Sequence, residues 1–206
     1  NITTKNAKDT QGLYTEAGGG TWVQDFAGAR YGGTLASNVY YRVYGKYFDR
    51  GDEVFSNGDN ASDSWRMGQG GFRIDSEASA QNPLTLQGDF YLGDENVNTG
   101  GNAHTGGGNI LGRWTHNFSD DSDMSLQLYY DRTHLSDPVP AYVVGVITLA
   151  PAGTLTDDLD TYDLDFQHRF RLFDWNKIVW GLGYRFAHDV VGNAPALAFS
   201  PAVLDQ

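Results

Sequence analysis

The chain of 206 residues contains no cysteine. That excludes a disulfide framework and any thiolate metal site. Passage through an oxidising compartment fits this absence, but so do many soluble folds. Basic residues are scarce: 14 Lys and Arg stand against 26 Asp and Glu, a formal charge of −12. Nucleic acid is thereby excluded as a partner, because phosphate binding needs a basic surface. Long apolar runs are missing too. The longest, Ala141 to Ala150, is interrupted by Gly145 and followed by Pro151, well short of the roughly eighteen residues of a membrane helix. This says nothing against a strand-built membrane protein, whose signature per segment is weaker. There is no leader pattern, and Asn1 reads as starting inside a strand. Methionine occurs twice and proline six times.

What the chain has in quantity is glycine (26) and aromatics: 12 Tyr, 11 Phe and 5 Trp. This composition favours strands and turns. Alternation of period two dominates. Tyr162, Leu164, Phe166 and Phe170 fall on one face, and Asp163, Asp165, Gln167, Arg169 and Arg171 on the other. Ile178, Trp180, Leu182, Tyr184 and Phe186 repeat the pattern, as do Met124 to Tyr130, Leu84 to Leu92 and Val39 to Tyr47. Weaker alternation covers Trp22 to Gly32, Trp65 to Asp75 and Ile110 to Phe118, with Gly12 to Gly20 the least regular. Nine strands are expected, at about 12–20, 22–32, 39–49, 64–75, 84–93, 107–118, 124–134, 158–171 and 177–187. Ten residues at about 3.3 Å rise, tilted by about 40°, span roughly 25 Å, the height of a transmembrane apolar band.

The connections alternate in length. Gly33 to Asn38, Ser76 to Pro83, Ser119 to Asp123 and Leu172 to Asn176 are short; Arg50 to Asp63, Asp94 to Gly106, Leu135 to Asp157 and the tail from Asp189 are long. Gly18 to Thr21 is a tight link on the long side. A meander places successive connections at opposite ends, and membrane barrels sort short turns from long loops in this way. A soluble barrel or sandwich accounts for the alternation but not for the sorting. Tyr31, Tyr40, Tyr41, Tyr47, Phe48, Phe118, Phe170, Phe173 and Trp175 are expected in interfacial girdles. The expected fold is all-β: an antiparallel up-and-down meander of about nine strands, part of a larger transmembrane β-barrel. Nine strands cannot close by antiparallel pairing of first to last, so an open sheet with two bare edges is expected.

The run Asn1-Ile2-Thr3-Thr4-Lys5, then Ala7-Lys8-Asp9-Thr10-Gln11-Gly12, resembles the last plug strand of TonB-dependent outer-membrane receptors and its exit into the barrel. Thr3 departs from the family's second apolar residue. Ala17-Gly18-Gly19-Gly20-Thr21 and Ala29-Arg30-Tyr31-Gly32-Gly33 are similar to its first barrel hairpin. Tyr40 to Tyr47 and Gly70-Gly71-Phe72-Arg73-Ile74-Asp75 add to the likeness. The motif detail covers about residues 1–75, and strand rhythm carries the rest. The resemblance implies that 1–11 end a plug domain and its connection to the barrel, and that 12–206 are the N-terminal portion of the barrel. It also implies a fragment: most of the plug, with its TonB-contacting segment, would lie upstream. The end at Leu204-Asp205-Gln206 would fall in a loop, without the aromatic that closes such barrels. The Gram-negative outer membrane is the implied location. The implied partners are its lipid and lipopolysaccharide, TonB through the missing plug segment, and a ferric siderophore, haem, cobalamin or similar ligand.

The lumen-facing candidates are Arg42, Lys46, Arg113, Asp131, Asp163, Asp165 and Arg185, placed to contact a plug or an anionic ligand; no ligand-binding residue can be singled out. No nucleophile elbow, metalloprotease helix, Walker loop or EF-hand pattern occurs, so no catalytic residue, cofactor or metal is expected. Gly68-Gln69-Gly70-Gly71 and Gly106-Gly107-Gly108 read as strand glycines permitting close packing. His116 and His168 read as outward and interfacial, His104 and His188 as loop residues. Asp157, Asp158 and Asp160 read as a solvated loop edge, with a divalent-cation site as the sharper alternative. The apolar runs Val139 to Leu149 and Ala194 to Leu204 read as strand extensions packing on neighbouring loops, or else as a ligand-touching mouth. A gated transporter, a passive porin or channel, and an outer-membrane enzyme are the function classes to separate.

Overall fold

A computed structural model of the chain describes residues 4–97 and 101–206. A 3₁₀ turn, Ala7–Thr10, leads into β1 (Gly12–Gly18), β2 (Val23–Ala36), β3 (Val39–Arg50), β4 (Trp65–Ser76), β5 (Leu84–Val97), β6 (Gly101–Ser119) and β7 (Ser122–Val139). Then follow β8 (Tyr142–Val144), β9 (Ile147–Ala150), β10 (Gly153–Phe173), β11 (Asn176–Gly192) and β12 (Val203–Asp205). Ten of these pair as one sheet in the order β1-β2-β3-β4-β5-β6-β7-β10-β11-β12, each neighbour antiparallel. The sheet does not close on itself. The expected all-β antiparallel meander is therefore the fold.

Residues directly opposite each other in a ladder share a face, so the register carries the period-two pattern across the sheet. Val43, Phe72, Gly88, Ile110, Tyr130, Tyr162 and Phe186 form one row across seven strands. The row one residue away is Arg42, Arg73, Gln87, Leu111, Tyr129, Asp163 and Arg185, on the other face. Apolar and polar rows keep to opposite sides over most of the strand length, and no one-residue slip mixes them.

The apolar face is not a core. Leu92 is 72 % exposed, Leu182 65 % and Tyr184 66 %. Among the described residues the buried apolar ones are Ala7, Ala61, Ala103 and Ala194. Among the described residues no second layer covers the sheet, which is where a soluble sandwich would have placed Leu164, Phe166, Trp180 and Leu182. Ring–ring contacts tie the apolar face together: across strands, Tyr130 with Tyr162 at 4.9 Å and Phe166 with Trp180 at 5.4 Å, and along β6, His116 edge-on to Phe118 at 4.6 Å.

Several expectations are corrected. Strands run further at the end expected to carry long loops. β10 starts at Gly153 and β11 continues to Gly192, so Asp157, Asp158 and Asp160 lie in the ladder and not at a loop edge. The connection expected from Asp94 to Gly106 is mostly paired strand, with Val97 opposite Gly101, and residues 98–100 lie outside the described set. Sorting of the connections therefore rests on 51–64, 140–152 and 193–202 against the turns at Ser37–Asn38, Asp120–Asp121 and Asp174–Trp175. Only the short-side connection Glu77–Pro83 is wider. Asn38 takes φ 58, the left-handed conformation that Asn tolerates in a tight turn. The end of the chain is a tenth strand of the sheet: β12 pairs with His188 to Val190 of β11. The run from Val139 to Leu149 holds a separate hairpin, β8–β9, rather than a simple strand extension. Tyr40 and Phe48, expected in girdles, lie on the polar face with Arg42 and Arg50, because all four are even-numbered residues of β3.

The Gly-rich runs are strand, as expected. A side chain on Gly70 would meet the Phe90 ring at 2.7 Å, so this glycine makes room for a neighbouring aromatic.

Candidate functional site

All seven charged residues singled out from the sequence stand on the polar face. Arg42, Asp163 and Arg185 share one row. Arg113 and Asp165 both flank Gln127 in another. Arg185 Nε donates to Asp163 at 2.9 Å, and Arg113 Nε to Gln127 Oε1 at 3.0 Å. Asp131 accepts from the Tyr129 hydroxyl at 3.0 Å, and Tyr44 donates to Asp89 in the same manner. Among the described residues Lys46 and Asp165 make no ion pair. The seven do not converge on a pocket: five strands carry them, and Arg113, Asp131, Asp163 and Arg185 are each tied to a near neighbour. The result is a wall of charge, much of it hydrogen-bonded, spread along the face rather than gathered at one point.

A dense polar cluster lies on that face at the end carrying the short turns; the sequence reading singled out its Arg42 but missed Arg73 and Asp75 as a site. Asp75 is 2 % exposed, the largest fully buried side chain described. Its carboxylate accepts from the Ala7 amide at 2.7 Å, from Arg73 Nε at 2.7 Å and Nη2 at 2.9 Å, and from the Thr85 hydroxyl at 2.8 Å. Arg73 Nη1 reaches Thr4 Oγ1 at 2.7 Å and Gln87 Oε1 at 3.0 Å. Arg42 Nη1 donates to the Lys5 carbonyl at 3.0 Å. Residues 4–10 thus cross the polar face as a strap over β2, β3 and β4.

Local chemistry shapes the strap. Asn6 caps the 3₁₀ turn by accepting from Lys8 N at 2.9 Å, as N-cap side chains do. Ala7 is fully buried and Thr10 nearly so. Gly32 admits the close approach, since a Cβ there would lie 2.2 Å from the Thr10 carbonyl oxygen. Lys8 pairs with Glu77 at 2.9 Å; that hydrogen bond and charge hold the Lys8 ammonium above its ordinary value. Arg73 and Asp75 lie on one face of β4, two residues apart, a hint available in the sequence. Their partners 68 residues away were not.

At the opposite end, loop 51–64 is built on Asp52, which accepts from Asn60 Nδ2 at 2.9 Å and Ser64 N at 2.7 Å. The Asn60 bond, then that from Ser64, hold its carboxyl below the usual value. Nearby, the Arg50 guanidinium lies over the rings of Trp65 at 4.6 Å, Trp22 at 4.7 Å and Phe48 at 5.0 Å.

The acidic trio is divided by strand geometry. Asp157 points to the polar face. Asp158 and Asp160 point to the other face, where Arg132 Nη2 donates to Asp158 at 3.0 Å and the Tyr130 hydroxyl to Asp160 at 2.6 Å. Neither the loop edge nor the trio as a cation site survives; among the described residues no group of three metal-ligating side chains comes together. His104 and His188 are strand residues, not loop residues, and stand on the apolar side beside Asp94 and Asp205. His116 and His168 do lie on that side at the short-turn end, where Trp180 Nε1 donates to His168 Nδ1 at 3.1 Å.

Comparison with known proteins shows the fold in a wider setting. No family model matches the chain, and no curated protein does. Among solved structures, the chain is similar to a variant of the ferric enterobactin receptor PfeA from Pseudomonas aeruginosa, with a TM-score of 0.65 and 14 % identity. The match covers 88 % of this chain and 32 % of that one. It is also similar to the outer membrane transporter YddB from Escherichia coli, with a TM-score of 0.53 and 13 % identity over 81 % of this chain and 26 % of the other. The chain thus spans about a third of the first structure and a quarter of the second. At these identities the likeness is one of fold: an antiparallel meander superposable on part of a ferric enterobactin receptor and part of an outer membrane transporter.

Proposed function

We propose that this chain is part of the wall of a TonB-dependent outer-membrane transporter that actively imports a ferric siderophore or similarly scarce nutrient. The observation that carries this reading is the pairing of an exposed apolar face with a polar face already crossed by a segment of chain. The apolar rows would meet lipid and, above them, lipopolysaccharide. The polar rows would look into a lumen. Residues 4–11 would connect that wall to a plug upstream, on which TonB would act. An open sheet with edges at β1 and β12 suits a wall that other strands complete, since unpaired edges are costly in a bilayer.

A strap on the polar face favours a plugged transporter over an open porin, whose lumen needs no chain anchored at that point. The fixed charges on the wall suit plug or ligand contact better than hydrolysis, because no reacting pair stands among them.

The test is uptake of a panel of iron-loaded siderophores, haem and cobalamin by cells carrying or lacking the whole gene. Uptake of one panel member that depends on the gene and stops when the proton-motive force is collapsed supports the reading. Gene-dependent uptake that persists after collapse identifies a passive channel instead.

A further inference from the structure

We propose that Asp75 and Arg73, helped by Arg42, form a mechanical clamp on residues 4–10, so that a pull applied upstream of Thr4 is borne by the interior strand β4 and stops before it reaches the edge strand β1. The inference rests on the reading of residues 4–11 as a connection to a plug.

The geometry assigns the load path. β1 begins at Gly12 and pairs with β2 alone. Without a fixing point, tension on Asn6 would pass through Gln11 and unzip the Gly12–Gly32 end of that single ladder. β4 is held on both sides, by β3 and β5, over its full length. The bonds that fasten the strap go to β4 and its neighbours: Ala7 N to Asp75, Thr4 to Arg73 and the Lys5 carbonyl to Arg42. Two of the three engage the strap's backbone, so the grip depends little on strap side chains.

The clamp is itself braced. Thr85 and Gln87 on β5 hold Asp75 Oδ1 and Arg73 Nη1. The side chains of Arg73 and Asp75 are 14 % and 3 % exposed, whereas Lys8 and Glu77 beside them are 50 % and 41 % exposed. A sheltered charge pair resists salt screening, and charge-assisted bonds are about twice as strong as neutral ones. The exposed pair cannot replace it.

The test uses the full-length protein in lipid nanodiscs and two variants that break the clamp from opposite sides. Asp75→Asn keeps the volume and removes the charge. Ala7→Pro removes the amide donor, at a first helical position that accepts proline; Asn6, at ψ 146, already has the backbone a residue before proline requires. Lys8→Ala removes the exposed pair as a control. Amide exchange across residues 8–10 should speed up about ten- to a hundred-fold in both clamp variants, with β4 and β5 unchanged and the control like the parent. With a force handle upstream of Thr4, the first rupture should come at lower force in both variants and be followed directly by loss of β1. Unchanged exchange and rupture, or exchange rising equally through β4 and β5, would overturn the clamp. Neither readout involves transport, so a protein that shows the clamp but takes up nothing in the uptake assay sinks the functional reading alone.

Discussion

Phe166 on β10 and Leu182 on β11 stand directly opposite each other on the apolar face, and Leu182 is 65 % exposed there. A side chain of this size, left open on a face that no described residue covers, has no stabilising role in water. In hydrocarbon it has one. Leu182→Arg in the full-length protein should therefore cost about 2–4 kcal/mol of stability in a bilayer, as cations do near the midplane of a barrel's lipid face. Gln167→Arg, one residue from Phe166 on the polar face, should stay within about 0.5 kcal/mol. Reversible denaturant unfolding from lipid vesicles measures both; equal costs would contradict the assignment of the faces.

The aromatics give a second, depth-resolved check. Trp175 sits in the Asp174–Trp175 turn, 82 % exposed and stacked on Phe173 at 5.8 Å. Trp180 lies further up β11 on the apolar face. Tryptophan rings at a strand end belong at the membrane interface. In single-Trp versions, lipids brominated near the headgroup should quench Trp175 more strongly, and lipids brominated deep in the chain should quench Trp180 more strongly.

Loop 51–64 should respond to acid. Asp52 has its carboxyl held below the ordinary value by Asn60 and Ser64. A lowered folded value means that the stabilisation is complete above the ordinary carboxylate range, near pH 4, and is lost as pH falls through the lowered value. Amide exchange at Ser64, whose N–H bonds to Asp52, should stay slow down to that range and accelerate below it. Asp52→Asn should make Ser64 exchange faster at neutral pH and flatten its acid response.

Gly32 supplies a steric test. Because a Cβ there would lie 2.2 Å from the Thr10 carbonyl oxygen and 3.0 Å from Gln11 Cα, both backbone atoms, the strap must move to admit it. Gly32→Ala should lower the melting temperature by a few degrees, on the order of 1 kcal/mol or more, and raise exchange at Thr10. An equivalent change at Gly68, where a Cβ has open space, should leave both unaltered.

These contrasts also show what the sequence could disclose. Strand existence and facing were legible because large apolar residues recur at every second position from Tyr162 to Phe170, broken only at His168, and from Ile178 to Phe186, and the register preserves that order. Strand ends at the long-loop side were not legible. There Asp157, Asp158 and Asp160 look like loop acid, and the partners Arg132 and His134 of Asp158 and Tyr130 of Asp160 become visible only once the strands are paired. The charged wall residues were legible by parity alone. The clamp was not, because the bonds that bury Asp75 come from Ala7 and Thr85 on separate parts of the chain. β12 was hidden for a similar reason: a three-residue strand carries no periodicity, and it forms because β11 offers an unpaired edge at His188 to Val190.

Whether the apolar face meets lipid decides the proposed function, and a spin-label scan reads that directly. Labels placed singly from Tyr162 to Phe170 and from Ile178 to Phe186, in the full-length protein reconstituted in bilayers, should show oxygen accessibility peaking at the even-numbered positions. Accessibility to a water-soluble nickel reagent should peak at the odd-numbered ones. If the even-numbered labels prove shielded from oxygen and open to the nickel reagent, or if both strands lack a two-residue period, the apolar rows are not a membrane surface.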